Sequence, residues 1–145
     1  MPDPSAQLST ASARIWLAPN GVVHIQPLQN RMQGLSDAIE NVSGVGIVAG
    51  GVRRPLLVHF QVAAAQTPEC RAHYVSEEAA RIVCAVGIVT RSVLGRVIGN
   101  LMLGMNETKI PLRLFDDERS AESWLLERFG AKQTVALRPS KRPAP

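Results

Sequence analysis

The sequence predicts an α/β domain in the order ββαβαβαβα, built on a mixed, mostly parallel five-stranded sheet with helices mainly on one side. Three observations predict it. Short runs rich in Val and Ile alternate with helix-length segments that carry apolar residues three and four apart. A Pro19-Asn20-Gly21 turn folds the first two runs into a hairpin, the antiparallel part of the sheet. The chain has 145 residues, 46% of them hydrophobic, which is enough to build one core. Strands joined through helices return in parallel by right-handed crossovers.

Residues 14–18 and 22–27 are the two hairpin strands. Ser36 is the expected cap of a first helix, with Asp37 and Glu40 near the positive end of its dipole, and Gly50-Gly51 ends it. Residues 55–62 give the third strand. Thr67-Pro68-Glu69 starts the second helix, because the Thr hydroxyl caps it and a Pro in its first turn lacks an N–H that would go unpaired anyway. Residues 82–89 give the fourth strand. Residues 91–105 show the clearest helical period, through Val93, Leu94, Val97, Ile98, Leu101, Met102 and Met105. Residues 110–115 are the fifth strand. The last helix opens at Asp116 or Asp117, buries Ala121, Trp124, Leu125 and Phe129, and is expected to end at Gly130.

The domain is therefore expected over residues 13–130, between disordered tails at 1–12 and 131–145. The formal charge is +4, and Lys132, Arg138, Lys141 and Arg142 account for all of it, since residues 131–145 hold no acid. The body is thus neutral and gives no case for nucleic acid, which needs several cations fixed on one face. The N-terminus lacks the cationic start and the apolar stretch of about 7–15 residues of a secretory signal, and no stretch is long enough for a membrane span. A cytoplasmic location is expected. Cys70 and Cys84 form no CxxC and have no His pair beside them, which predicts two reduced core thiols and no zinc motif. The Gly44-Val-Gly46-Ile-Val-Ala49 match to a dinucleotide fingerprint lies in or after a helix rather than between strand and helix, so no nucleotide is implied. There is no G-x-S-x-G, HExxH or P-loop motif, and neither an enzyme nor a cofactor is expected.

The runs RPLLVHF, TPECRAHYVSEEAARI and AVGIVTRSVLGRVIGNLMLGMNETKIPLRLFDDERSAESWL together resemble the small bacterial STAS/SEC14-like domains, relatives of the SpoIIAA-like anti-sigma-factor antagonists. The likeness covers about residues 14–129. It implies consecutive βα turns without metal or organic cofactor, and a protein-interaction switch or, on the SEC14 side, a carrier of lipid. The antagonists carry a phosphorylatable Ser or Thr at the start of a helix after a central strand. Thr67 holds that place here without the neighbouring Asp-Ser and Ser-Gly pattern, so it is either a switch or an N-cap. Arg96 and Asn100, four apart within the matched run, either edge a ligand or partner groove, or are solvated or tie the helix to a neighbouring loop by hydrogen bonds.

Alternation puts Arg14, Trp16, His24, Gln26, His59, Gln61 and Arg113 on one sheet face. With the helices on the other side, that face is solvated or docks a partner, most simply in a homodimer. His24 and His59 are not read as a metal site, because no Asp, Glu or Cys stands near them in the strands. The leading expectation is a non-enzymatic regulatory or protein-interaction module, acting as a homodimer or on an unidentified regulatory protein. The other is binding of a lipid or small apolar ligand between sheet and helices.

Overall fold

The Pro19-Asn20-Gly21 turn closes as expected in this computed structural model, which describes residues 6–28, 31–60, 66–92 and 110–141, with side chains as far as Phe129. Gly21 takes a φ of 93°, and the Asn20 side-chain oxygen accepts the Val22 N–H at 3.1 Å. The hairpin strands are β2 (Ala13–Leu17) and β3 (Val23–Pro27), preceded by β1 (Gln7–Ser9). Then come α1 (Leu35–Val48), β4 (Arg54–His59), α2 (Pro68–Tyr74), α3 (Glu77–Ile82), β5 (Val83–Val89), β6 (Leu112–Phe115) and α4 (Glu118–Lys141). The six strands lie in the order β1-β2-β3-β4-β5-β6, antiparallel through β1, β2 and β3 and parallel from β3 to β6.

The α/β class and the mixed sheet agree with the sequence reading, with four differences. β1 is a sixth strand inside the segment expected to be a disordered tail; its Leu8 reaches the core, and three residues are too few to show a period. The second helix is broken in two, because the Ser76 hydroxyl caps a new turn by accepting from the Ala79 N–H. α1 is capped at Gly34 rather than at Ser36; the Asp37 carboxylate accepts the Gly34 N–H at 2.9 Å and pairs with Arg31 at 2.9 Å. α4 continues through Gly130 to Lys141: one glycine costs a helix only about 1 kcal/mol, residues 131–137 contain no breaker, and Pro139 falls in the last turn. The expected helix over 91–105, with Arg96 and Asn100, falls mostly outside the described residues, as does Gln61.

The layers also differ from expectation. α1, α2 and α3 cover one side of the sheet, where Ile15, Val23, Ile25, Val42, Val45 and Val86 form the larger core. α4 covers the other side and closes a second core of Val22, Leu57, Ala85, Val89, Ala121 and Leu125. A helix that leads into a following parallel strand is held to one side by crossover handedness. No described strand follows α4, so this rule places no constraint on it. Between β1, α1 and α2 lies a buried polar network: Asn41 accepts from the Thr10 hydroxyl at 2.6 Å and donates to Ser12 and Tyr74, and Tyr74 donates to Gln33 at 2.7 Å. No helix among the described residues is long and apolar enough to cross a membrane.

Candidate functional site

Strand alternation sends Trp16, His24 and His59 to the side where α4 lies. Trp16 and His24 are paired directly across β2 and β3. The three rings form a stack, with centroids 5.1 Å apart for Trp16 and His24, 5.5 Å for Trp16 and His59 and 5.2 Å for the two imidazoles. Nδ1 of His24 is 2.9 Å from Nε2 of His59, a hydrogen bond in which one ring donates and the other accepts. Nε2 of His24 points the other way, to α4, and stands 3.4 Å from a Glu122 carboxylate oxygen. The same oxygen accepts from the Asn20 side-chain amide at 3.3 Å, so the hairpin turn positions the Glu122 carboxylate. Glu118, one turn earlier, brings a second carboxylate, and the His24, Glu118 and Glu122 ligand atoms all lie within 4.8 Å of one another.

Burial makes both imidazoles weaker bases than usual. Burial is the main cause holding His24 below its ordinary value of 6.5, opposed by the nearby Glu118 and Glu122. Burial also lowers His59, and the neighbouring His24 adds to the effect. Both rings are therefore neutral at pH 7, and each has one nitrogen with a free or accepting lone pair.

This geometry changes the expected open face. His24 is 3% exposed and cannot contact a partner. α4, expected on the other side, covers it. Trp16, Gln26 and His59 are half-buried, and only Arg14 and Arg113 of the described set are exposed, Arg14 above the Trp16 ring and Arg113 above Phe115. The acids that the strands lack come from α4. Their signal was present in the sequence, because Glu118 and Glu122 fall with Ala121 and Leu125 on the stripe that the helix buries. Thr67 is the N-cap of α2, its hydroxyl accepting the Cys70 N–H at 3.2 Å. Cys70 and Cys84 are both buried, and burial pushes the Cys70 thiol up to about 11.

Two further features lie on the other side of the molecule. A cavity of about 170 Å³ opens between the sheet and α1 to α3; Val45, Leu56, Val58, Val86 and Ile88 give it apolar walls, and Gln33 and Tyr74 give it polar ones. The outward side of α1 leaves Leu35, Ile39 and Ile47 in solvent.

Residues 15–128 match the model of a family described as "Domain of unknown function (DUF7793)". Among curated proteins nothing matches the chain. Among solved structures it is similar to a protein with unknown function from Arthrobacter sp. FB24, at 24% identity over 77% of this chain and 96% of that one, with a TM-score of 0.30. The family model spans both the hairpin that carries Trp16 and His24 and the first turns of α4 that carry the two glutamates, and the chain belongs to the DUF7793 family.

Proposed function

We propose that this domain is a non-enzymatic protein-interaction module that docks through the outward row of α1, with a second copy of the same chain as its partner. The row carries the reading: Leu35, Ile39 and Ile47 are 45%, 46% and 68% exposed and stand four and eight residues apart, so they form one line along the helix. The opposite side of α1 is already buried through Ala38, Val42 and Val45, which leaves a helix apolar on two sides and partnered on one. Contiguous exposed apolar surface of this kind marks contact sites. Ser43 stands between Ile39 and Ile47 and leaves room for a facing ridge, as ridges four residues apart require when two such helices pack. A twofold axis would bring the same row from each copy together. The resemblance to the STAS-like antagonists, which act through protein contacts, favours the same reading. The surface differs from the sheet face first expected, because α4 occupies part of that face.

Light scattering during gel filtration at tens of micromolar is expected to give a dimer. The double variant Ile39→Glu, Ile47→Glu is expected to give a folded monomer, because both positions are already solvent-exposed. A wild-type monomer at that concentration, or a double variant that still dimerises, overturns the reading.

A second reading rests on the cavity. Its volume of about 170 Å³ is close to the roughly 150 Å³ of an engineered apolar cavity that takes benzene, and below the roughly 300–1,000 Å³ of ordinary ligand pockets. A small apolar molecule fits these dimensions and a whole phospholipid does not. Native mass spectrometry of freshly purified chain is expected to show a small added mass, absent from Val45→Trp. Bare protein in both samples overturns it.

A further inference from the structure

We propose that His24, Glu118 and Glu122 form a binding site for one divalent transition-metal ion of the zinc type, with His59 as the residue that orients the histidine ligand. The ligand set is one imidazole nitrogen and two carboxylates, and it leaves a position open to water or another small ligand.

Four features of the geometry carry this. Nε2 of His24 is buried and has no hydrogen-bond partner among the described residues, although it faces two acids. Its 3.4 Å distance to Glu122 is longer than the roughly 2.9 Å of a formed N–H···O bond. That distance matches the edge of a zinc tetrahedron, since bonds of about 2.0–2.1 Å place neighbouring ligand atoms about 3.4 Å apart. A metal between the two atoms would therefore need little movement of either.

The second feature is the His24–His59 contact at 2.9 Å. A metal-bound histidine typically gives its other N–H to an acceptor, which fixes the tautomer and turns the lone pair to the ion. If Nδ1 of His24 donates to Nε2 of His59, Nε2 of His24 carries the lone pair, directed at the acids. Thirdly, the Trp16 ring stacks on both imidazoles, so the ligand is held in one orientation before any ion arrives. Fourthly, Glu118 and Glu122 lie four apart on α4, where two carboxylates repel one another unless a cation lies between them. Asn20 donates to Glu122 and neutralises none of that charge. The nitrogen donor favours zinc-type ions over magnesium or calcium, which take oxygen ligands.

The test uses the full chain, stripped with chelator and titrated with zinc in a calorimeter at pH 7. One zinc per chain is expected. Glu122→Gln and Glu118→Gln should each weaken it at least tenfold, and His24→Gln should abolish it. His59→Phe keeps a ring in the stack but removes the acceptor, and should weaken binding by about tenfold or more. The two glutamates are only half-buried, so their variants keep the test valid even if His24→Gln fails to fold. Cobalt in place of zinc is expected to give visible bands without sulfur charge transfer. Three results overturn the proposal: no zinc bound at micromolar concentration, affinity unmoved by both glutamine variants, or a thiolate band that assigns the metal to Cys70 or Cys84.

Discussion

Leu125→Ala is expected to lower the stability of the domain by about 3 kcal/mol, the middle of the range for a buried leucine cut to alanine, or roughly 10 °C in Tm for a chain of this size. Leu125 is fully buried at the centre of the core under α4, among Val22, Leu57, Ala85 and Ala121. It seats there because β5 has Gly87 opposite: a Cβ at that position would stand 3.3 Å from Leu125 Cδ1 and 3.4 Å from its Cγ. Leu57 and Ala85 are held in the sheet and Val22 beside it, so they cannot move in to fill the void, and most of the cavity cost remains. α4 is held to the sheet mainly by this cluster, and α4 is also what buries His24 and delivers Glu118 and Glu122. The same variant is therefore expected to loosen the His24 site and weaken zinc uptake in step with stability. Urea titration followed by Trp fluorescence measures the first effect. A loss below about 1 kcal/mol would mean that α4 is not anchored by Leu125.

How far these features were legible in the sequence depends on the range of the interaction behind each. The hairpin was legible because Asn20-Gly21 and the alternation of Arg14, Ile15 and Trp16 are local signals. His24 and His59 were correctly placed on one face by the same period of two. The side taken by α4 was not legible. An amphipathic helix shows which of its own faces is buried, and where no described strand follows it, crossover handedness does not choose the side of the sheet. That single missing fact turned a covered histidine into an expected interface residue, and it separated the two histidines from the acids that stand beside them. β1 escaped notice because its pairing with β2 involves only Gln7, Leu8 and Ser9. The break between α2 and α3 had a visible signal in Ser76-Glu77-Glu78, a cap followed by acids. The exposed apolar row on α1 was invisible as such, since α1 has apolar residues on two sides and only packing shows which side is taken.

Asn41→Leu is expected to cost about 3 kcal/mol, although leucine is the better helix former and nearly the same size. Asn41 is fully buried in α1 and links three elements through its side chain. Its oxygen accepts from Thr10, which precedes β2, and its amide donates to Ser12 at 3.0 Å and to the Tyr74 hydroxyl of α2 at 2.9 Å. Leucine removes all of these bonds and leaves their partners without water to replace them. A buried polar group stripped of its partner costs about 1–3 kcal/mol, and Thr10 and Ser12 both face that loss. Tyr74 keeps its bond to Gln33 and is the least affected. Thr10 can turn to the Ala13 carbonyl, already 3.3 Å away, which limits the total. Because the partners share one network, Thr10→Val and Asn41→Leu should be less than additive in a double-mutant cycle. Full additivity, or a stability loss below about 1 kcal/mol for Asn41→Leu, would show that the network is satisfied by other means and does not tie α1 to β1 and α2. The backbone of α1 depends on this tie as well as on its apolar face. Loss of the tie should therefore also shift the Leu35, Ile39 and Ile47 row and weaken self-association before the domain unfolds.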